Sequence, residues 1–336
     1  MFPSEALFGS HVPPEYVPCC DHYAGSERFI RKILALQIKS ELCFDVTLDL
    51  EDGAELGNPR EQRELVSSYL NQYSPDIYAR RRGIRFHPVS DPLFYTETTE
   101  LLPKIYSSIA YITIPKVRDF VEAQQAVKSV LQTLKNHCLS KPLGIHFLIE
   151  TPSAIPHIAA IASLPCVRGI DFGLMDFVSS YRGSIPFSAI SSPDQFENIH
   201  VAEIKRAIVC ASIGAGKVAA HNVSTDFQKP ESAYADALRA KEEFGFQRMW
   251  SIHPNQIEPI VRAFTPQTDE LHFAQQVLLK AKRANWGPIR FENRLHDRAS
   301  YRFLWQELLK AWYQQIPFER ETTKELFGNF PTRDDH

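Results

Sequence analysis

Short apolar, β-prone runs alternate with amphipathic stretches along most of this chain. The clearest run is CFDVTLDLE (43–51), dense in β-branched and aromatic residues and ending in the acids Asp49, Glu51 and Asp52 before Gly53. Others are GIRFHPV (83–89), SIAYITIPK (108–116), GIHFLIE (144–150), RGIDFG (168–173), GKVAAHNV (216–223) and FQRMWSIHP (246–254). YVPCCDHYAG (16–25) reads as a first strand that breaks at Gly25. Between the runs the apolar spacing is helical. Ser26-Glu27 and Asn58-Pro59 open helices, Asp119 to about Asn136 is a long one, and others cover Ile199 to about Ile213, Glu231–Phe244 and Gln256–Phe264. Residues 97–102 are also helical in character. Eight strand-like runs, each followed by a helix in steps of roughly 25–40 residues, predict an α/β fold. A closed (β/α)8 TIM barrel fits this count better than an open doubly wound sheet.

The ends of the chain break the alternation. Residues 1–14 are rich in Pro, Ser and Gly and lack periodicity, so residues 1–265 read as a barrel carrying a short irregular N-terminal arm. Thr268 to about Asn285 is a helix, stopped by Trp286-Gly287-Pro288. A short polar segment and an amphipathic helix with Tyr301, Phe303, Leu304, Leu308 and Trp312 follow. Residues 266–336 therefore form a C-terminal helical extension, a cap or an oligomer arm, with a frayed tail from Gly328 to His336.

The active end of a TIM barrel is the C-terminal end of its strands. The residues there are Glu51, Asp52, Arg85, Lys116, Glu150, Asp176, His221 and His253, strongly polar neighbours for apolar strands. Within GIHFLIETPSAIPHIAAIASLPCVRGIDFGLMD (144–176) two successive parallel strands deliver Glu150 and Asp176 to one end of the sheet. Two side-chain carboxylates, with water or substrate completing the shell, suit Mg²⁺. The plainer alternatives are a strand-end carboxylate and a loop cap. After Asp176 comes a Ser-, Pro- and Gly-rich stretch of about twenty residues, a length that often marks a lid.

Composition narrows the partners. The chain has 336 residues, 44% hydrophobic and 23% charged, with a formal net charge of -3. That balance gives no general pull toward nucleic acid or membrane. Arg80, Arg81 and Arg82 form the densest basic cluster. No apolar run is long enough to span a bilayer, and no secretory leader opens the sequence. The six cysteines lack zinc-type spacing and read as free thiols in a reducing cytoplasm.

LDLEDG (48–53), IPK (114–116), LIET (148–151), DFGLMD (171–176) and IHPNQI (252–257) resemble the citrate lyase β-subunit-like and malyl-CoA lyase-like enzymes, within the wider HpcH/HpaI aldolase group. The resemblance runs from about Phe44 to Phe264, with the motifs in the family's order. It implies a (β/α)8 barrel, bound Mg²⁺ and reversible cleavage of a C–C bond in a small oxo or hydroxy acid, as its CoA thioester. It implies Glu150 and Asp176 as metal carboxylates, Arg85 as the substrate-binding arginine, and Asp49, Glu51 and Asp52 as the second-strand acids. Asp297 looks like the acid that reaches a neighbouring subunit's site, and many members are trimers or hexamers.

The expected catalytic residues are thus Arg85, Glu51 and Asp297, and the expected substrate contacts are Arg85, Asp49, Asp52, Lys116 and His221. Asp297 or His221 would supply the proton for a departing enolate. The chain departs from the family at His87, at VPCCDHYAG and at His221-Asn222, which bears on substrate identity and CoA use. A class II pyruvate-type aldolase without CoA is the alternative enzyme; a barrel that binds an acid metabolite without turnover is the alternative outside catalysis.

Overall fold

A computed structural model describes residues 2–9, 17–54, 57–72 and 81–328. Residues 17–264 make one compact unit, a closed barrel of eight parallel strands in sequence order. The strands are β1 (Cys20–Ala24), β2 (Asp45–Asp49), β3 (Arg82–Arg85), β4 (Tyr111–Ile114), β5 (Gly144–Ile149), β6 (Val167–Phe172), β7 (Val218–His221) and β8 (Arg248–Ser251). β8 closes on β1 through Cys20↔Met249, Asp21↔Trp250 and His22↔Ser251. The helices start where the sequence supplies caps. Asn58, Asp119 and Asn198 each accept a first-turn backbone N–H, opening Pro59–Asn71, Phe120–Asn136 and Ile199–Gly214.

Alternation along each strand separates two cores. Val46, Leu48, Ile84, Ile112, Phe147 and Ile170 face outward and pack with helix residues such as Ile33, Leu34, Val66 and Ile208. The inward set is largely polar. Arg248, fully buried, lies 2.6 Å from Asp21 and 2.7 Å from Asp45. Thr47 donates to Asp21 at 2.9 Å and meets the Tyr111 hydroxyl at 2.8 Å, while His146 approaches Asp171 at 3.3 Å. Burial raises the Asp45 carboxyl above its usual value against the pull of Arg81 and Arg248. Nearer the strand C-termini the interior turns apolar, with Tyr23, Leu148, Ala220 and Trp250 in one cluster. The Tyr23 and Trp250 rings stack at 4.7 Å.

Local structure corrects several expectations. Residues 92–105, not only 97–102, are helical, with a π-helical turn at Glu97–Leu101. Asp176 lies in the first turn of a helix, Leu174–Ser180, rather than in a loop. The stretch after it is not a loose lid: Ile185, Ala189, Ile190 and Phe196 are buried in the main core.

The second compact unit joins Met1–Tyr16 to Thr265–His336. Residues 3–8 are a helix, not an irregular arm; Leu7 is fully buried and its carbonyl accepts from Arg302 Nε at 2.8 Å. The other expected arm residues, 10–14, and the tail beyond Gly328 lie outside the described residues, as does Arg80. Helices Thr268–Arg283 and Arg298–Tyr313 share an apolar core with Trp305, Leu308 and Phe327. The segment read as merely polar forms a hairpin, β9 (Ile289–Phe291) and β10 (Arg294–His296). Glu292 and Asn293 sit at φ 45° and 62°, the left-handed pair that a type I′ turn demands. Among the described residues no helix is long and apolar enough to cross a membrane.

Candidate active site

The site assembles where β2, β3, β5 and β6 end. Glu150 is the first residue past β5 and points inward by strand alternation, with 2% of its surface exposed. Its Oε1 accepts from the Lys116 backbone N–H at 2.6 Å. Lys116 adopts φ 52°, a strained conformation for a residue with a side chain, so that its N–H can reach the carboxylate. On the other side stands Gly173. A Cβ there would fall 2.3 Å from Glu150 Oε2, so only glycine lets the two strand ends approach. Burial, then the Asp176 charge, pushes the Glu150 carboxyl well up, against the opposing pull of Arg85.

Glu150 and Asp176 line one pocket of about 190 Å³, together with Asp52, Arg85, Asn222 and Trp250. Arg85, at the end of β3, gives its fork to Asp49: Nε to Oδ1 at 2.7 Å and NH2 to Oδ2 at 2.5 Å. NH1 lies 3.2 Å from Glu51. The Asp49 charge and bonds, with that of Glu51, raise the guanidinium pKa further despite burial. Lys116 Nζ bridges Glu51 at 2.5 Å and Asp52 at 2.7 Å, and is likewise shifted up against partial burial.

The expected residues thus separate by position. Arg85, Asp52, Glu150 and Asp176 line the pocket. Asp49 stands behind Arg85, its oxygens taken by the guanidinium and by the N–H groups of Glu51 and Gly53. Glu51 links Arg85 to Lys116. His221 is not at the pocket. The inward residue of β7 is Ala220, so His221 turns outward, stacks on Phe196 at 5.3 Å and hydrogen-bonds the Asn222 carbonyl. Burial, then Lys205, drives its imidazole pKa well down. His253 caps the turn Pro254–Gln256 and stacks on Phe227. Asp297 belongs to the C-terminal unit, where it caps helix Arg298–Tyr313.

Trp250 was missed as a pocket residue and Asn222 was noted only with His221 as a departure from the family, although strand alternation carried the signal for both. Among the described residues no group of three His, Cys, Asp or Glu side chains could hold a metal ion. Three carboxylates line the pocket, but Asp52 is paired with Lys116 Nζ at 2.7 Å; the remaining two, Glu150 and Asp176, fit an ion that keeps much of its shell as water or substrate.

His87, two residues past Arg85, contacts Glu97 Oε1 through Nδ1 at 2.5 Å. Burial alone would depress this imidazole, but the Glu97 hydrogen bond and charge outweigh it and the shift is upward. Its folded pKa thus exceeds the unfolded value near 6.5. The stabilisation is complete below that value and disappears as pH rises through the folded pKa. In urea melts the gap between parent and His87→Gln should be wider at about pH 5.5 than at about pH 8.5. A gap independent of pH would contradict the ion pair.

Fold and site define a closed α/β barrel whose C-terminal mouth carries Arg85 and the carboxylates Asp52, Glu150 and Asp176. The family profile described as HpcH/HpaI aldolase/citrate lyase matches residues 39–254, and the chain belongs to that family. It is a carbon–carbon lyase by class. A crystal structure of a citrate lyase from Burkholderia xenovorans LB400 superimposes with a TM-score of 0.83 at 39% identity, covering 97% of this chain and 100% of that one. The L-malyl-CoA/beta-methylmalyl-CoA lyase of Cereibacter sphaeroides is 26% identical over 76% of this chain and 83% of its own. The protein CitE of Mycobacterium tuberculosis, in complex with magnesium, acetoacetate and coenzyme A, shares the fold, with a TM-score of 0.64 at 20% identity over 88% of this chain and 98% of its own.

Proposed function

We propose that the protein is a Mg²⁺-dependent lyase that cleaves or forms a C–C bond in a small 2-oxo or hydroxy acid, as its acyl-CoA thioester. The observation that carries this reading is the convergence of Glu150, Asp176 and Arg85 on one pocket at the strand C-termini. Glu150 and Asp176 would hold the ion. When bound, it supplies Lewis acidity toward a carbonyl oxygen and offsets negative charge that develops there.

The protein's own groups do the rest. With its fork fixed by Asp49, Arg85 turns its remaining N–H edge to a substrate carboxylate, which sets the acid's orientation. Glu51 and Lys116 hold that guanidinium and the Asp52 rim in register. Trp250, Phe172 and Val223 shield the pocket from water. Asp297, from a second copy of the chain in a homotrimer or homohexamer, remains the proton donor to the enolate. Six cysteines, none of them in a disulfide, support a reducing, cytoplasmic setting.

The test is a substrate panel. Metal-dependent release of glyoxylate or oxaloacetate from acyl-CoA substrates, lost with chelator and restored by Mg²⁺, is expected. Aldol turnover of free pyruvate with aldehydes would instead select the CoA-free aldolase. Tight binding without turnover in either panel would select a binding protein. Arg85→Lys keeps the charge but loses the fork, so KM for the acid should rise about ten- to a hundredfold in steady-state assays.

A further inference from the structure

One wall of the pocket is a stretch of chain without regular structure. Asn222, Val223 and Thr225 line the cavity and follow β7 directly. Ser224, between them, is buried, and its carbonyl accepts from Gln256 Nε2 at 2.8 Å. Gln256 closes the turn Pro254–Gln256 that follows β8 and is fully buried. Its Oε1 accepts the N–H groups of Ile252 at 3.0 Å and His253 at 3.3 Å. These partners settle the amide. Reversed, it would set nitrogen against both N–H groups and oxygen against the Ser224 carbonyl. One side chain thus ties the end of β8 to the wall that follows β7.

A second glutamine grips the same wall. Asn222 Nδ2 donates to Gln195 Oε1 at 2.9 Å. Gln195 is also fully buried; its Nε2 donates to Asp236 at 3.1 Å, and Lys205 Nζ donates to its Oε1 at 3.3 Å. The wall is therefore held at two points, from the helix Asp194–Glu197 after β6 and from the turn after β8. Neither glutamine lines the pocket. Buried amides with all their bonds made add little net stability; what they fix is geometry.

We propose that Gln256 is a positioning residue: through the Ser224 carbonyl it sets the place of Val223 and Thr225, and with them the fit of the bound acid. Gln195 is its counterpart through Asn222. The inference rests on the reading of this pocket as an organic-acid site.

The test replaces Gln256 by glutamate, which keeps an acceptor for Ile252 and His253 but holds a donor for Ser224 only when protonated. Malate in magnesium buffer is the probe, in calorimetric titration. At about pH 8.5 Gln256→Glu should bind malate about tenfold more weakly than the parent, and at about pH 6 the ratio should fall toward one. Parent titrations at both values cancel the response of His253, on the same turn, and of the pocket acids. Amide exchange in peptides covering 222–229 should quicken in the variant at the higher pH, while peptides from the rest of the barrel keep the parent's rates. Gln256→Asn, too short to reach Ser224, serves if the glutamate variant does not fold, and should weaken malate at both values. A glutamate variant with parental affinity at both values, or with the same loss at both, overturns the inference. Faster exchange with unchanged affinity removes the positioning role and leaves the reading of the pocket intact. A parent that binds neither malate, succinate nor pyruvate removes that reading, and the positioning role with it.

Discussion

Glu150→Gln is expected to lower the proposed magnesium-dependent turnover by about three orders of magnitude and to leave the metal-free protein at least as stable as the parent. Both halves follow from one geometry. The carboxylate is buried and shares its pocket with Asp176. Glutamine keeps an oxygen for the Lys116 N–H and nearly the same shape, so the local backbone is retained. What it removes is the negative charge, which a divalent ion needs and which the metal-free fold holds at a cost beside a second acid. Steady-state rates across a magnesium series test the first half; thermal melts in chelator test the second. Near-parental turnover would end the metal assignment. A melt several degrees lower would make Glu150 a structural partner of Arg85 instead.

Arg248→Met destabilises the barrel by about 3–5 kcal/mol, because it leaves buried Asp21 without its counter-charge and Asp45 with Arg81 alone. Arg248 is fully buried and reaches Asp21, Asp45 and the Pro18 carbonyl at once. Methionine fills similar space but offers none of those donors. For a domain of this size the loss lowers the melting temperature by about 10 °C. Adding Asp21→Asn should recover part of it, since neutralising the acid that has lost its ion pair removes part of the penalty. Equal melts for parent and Arg248→Met would show that the interior network contributes nothing net.

The barrel was legible because eight strand-and-helix steps leave few other solutions for the chain. Glu150 and Arg85 were legible because each sits at a strand end with the inward phase. His221 was misplaced by a single residue. Strand periodicity is two, so an error of one moves a side chain from the mouth to the helix layer. The residue of β7 that faces inward is the small Ala220, and the polar pocket contact falls to Asn222 beyond it. The interior polar layer was hidden for another reason. Asp21, Asp45 and Arg248 come from opposite ends of the barrel's sequence, and only closure of β8 on β1 brings them together. The β9–β10 hairpin was missed because its turn rests on Glu292 and Asn293, without the glycine that usually announces a type I′ turn.

The helix Pro3–Phe8 has a consequence for biosynthesis. It is made before the barrel, yet its neighbours, such as Arg302, are made only after the whole barrel has emerged. The barrel's own contacts are complete by residue 264, so it can close while the second unit is still missing residues. Leu7 must meanwhile stay in water, without its apolar companions, through most of translation. A helix made ahead of the barrel is thus among the last to dock, and removing it strips a partner from the carboxy-terminal unit.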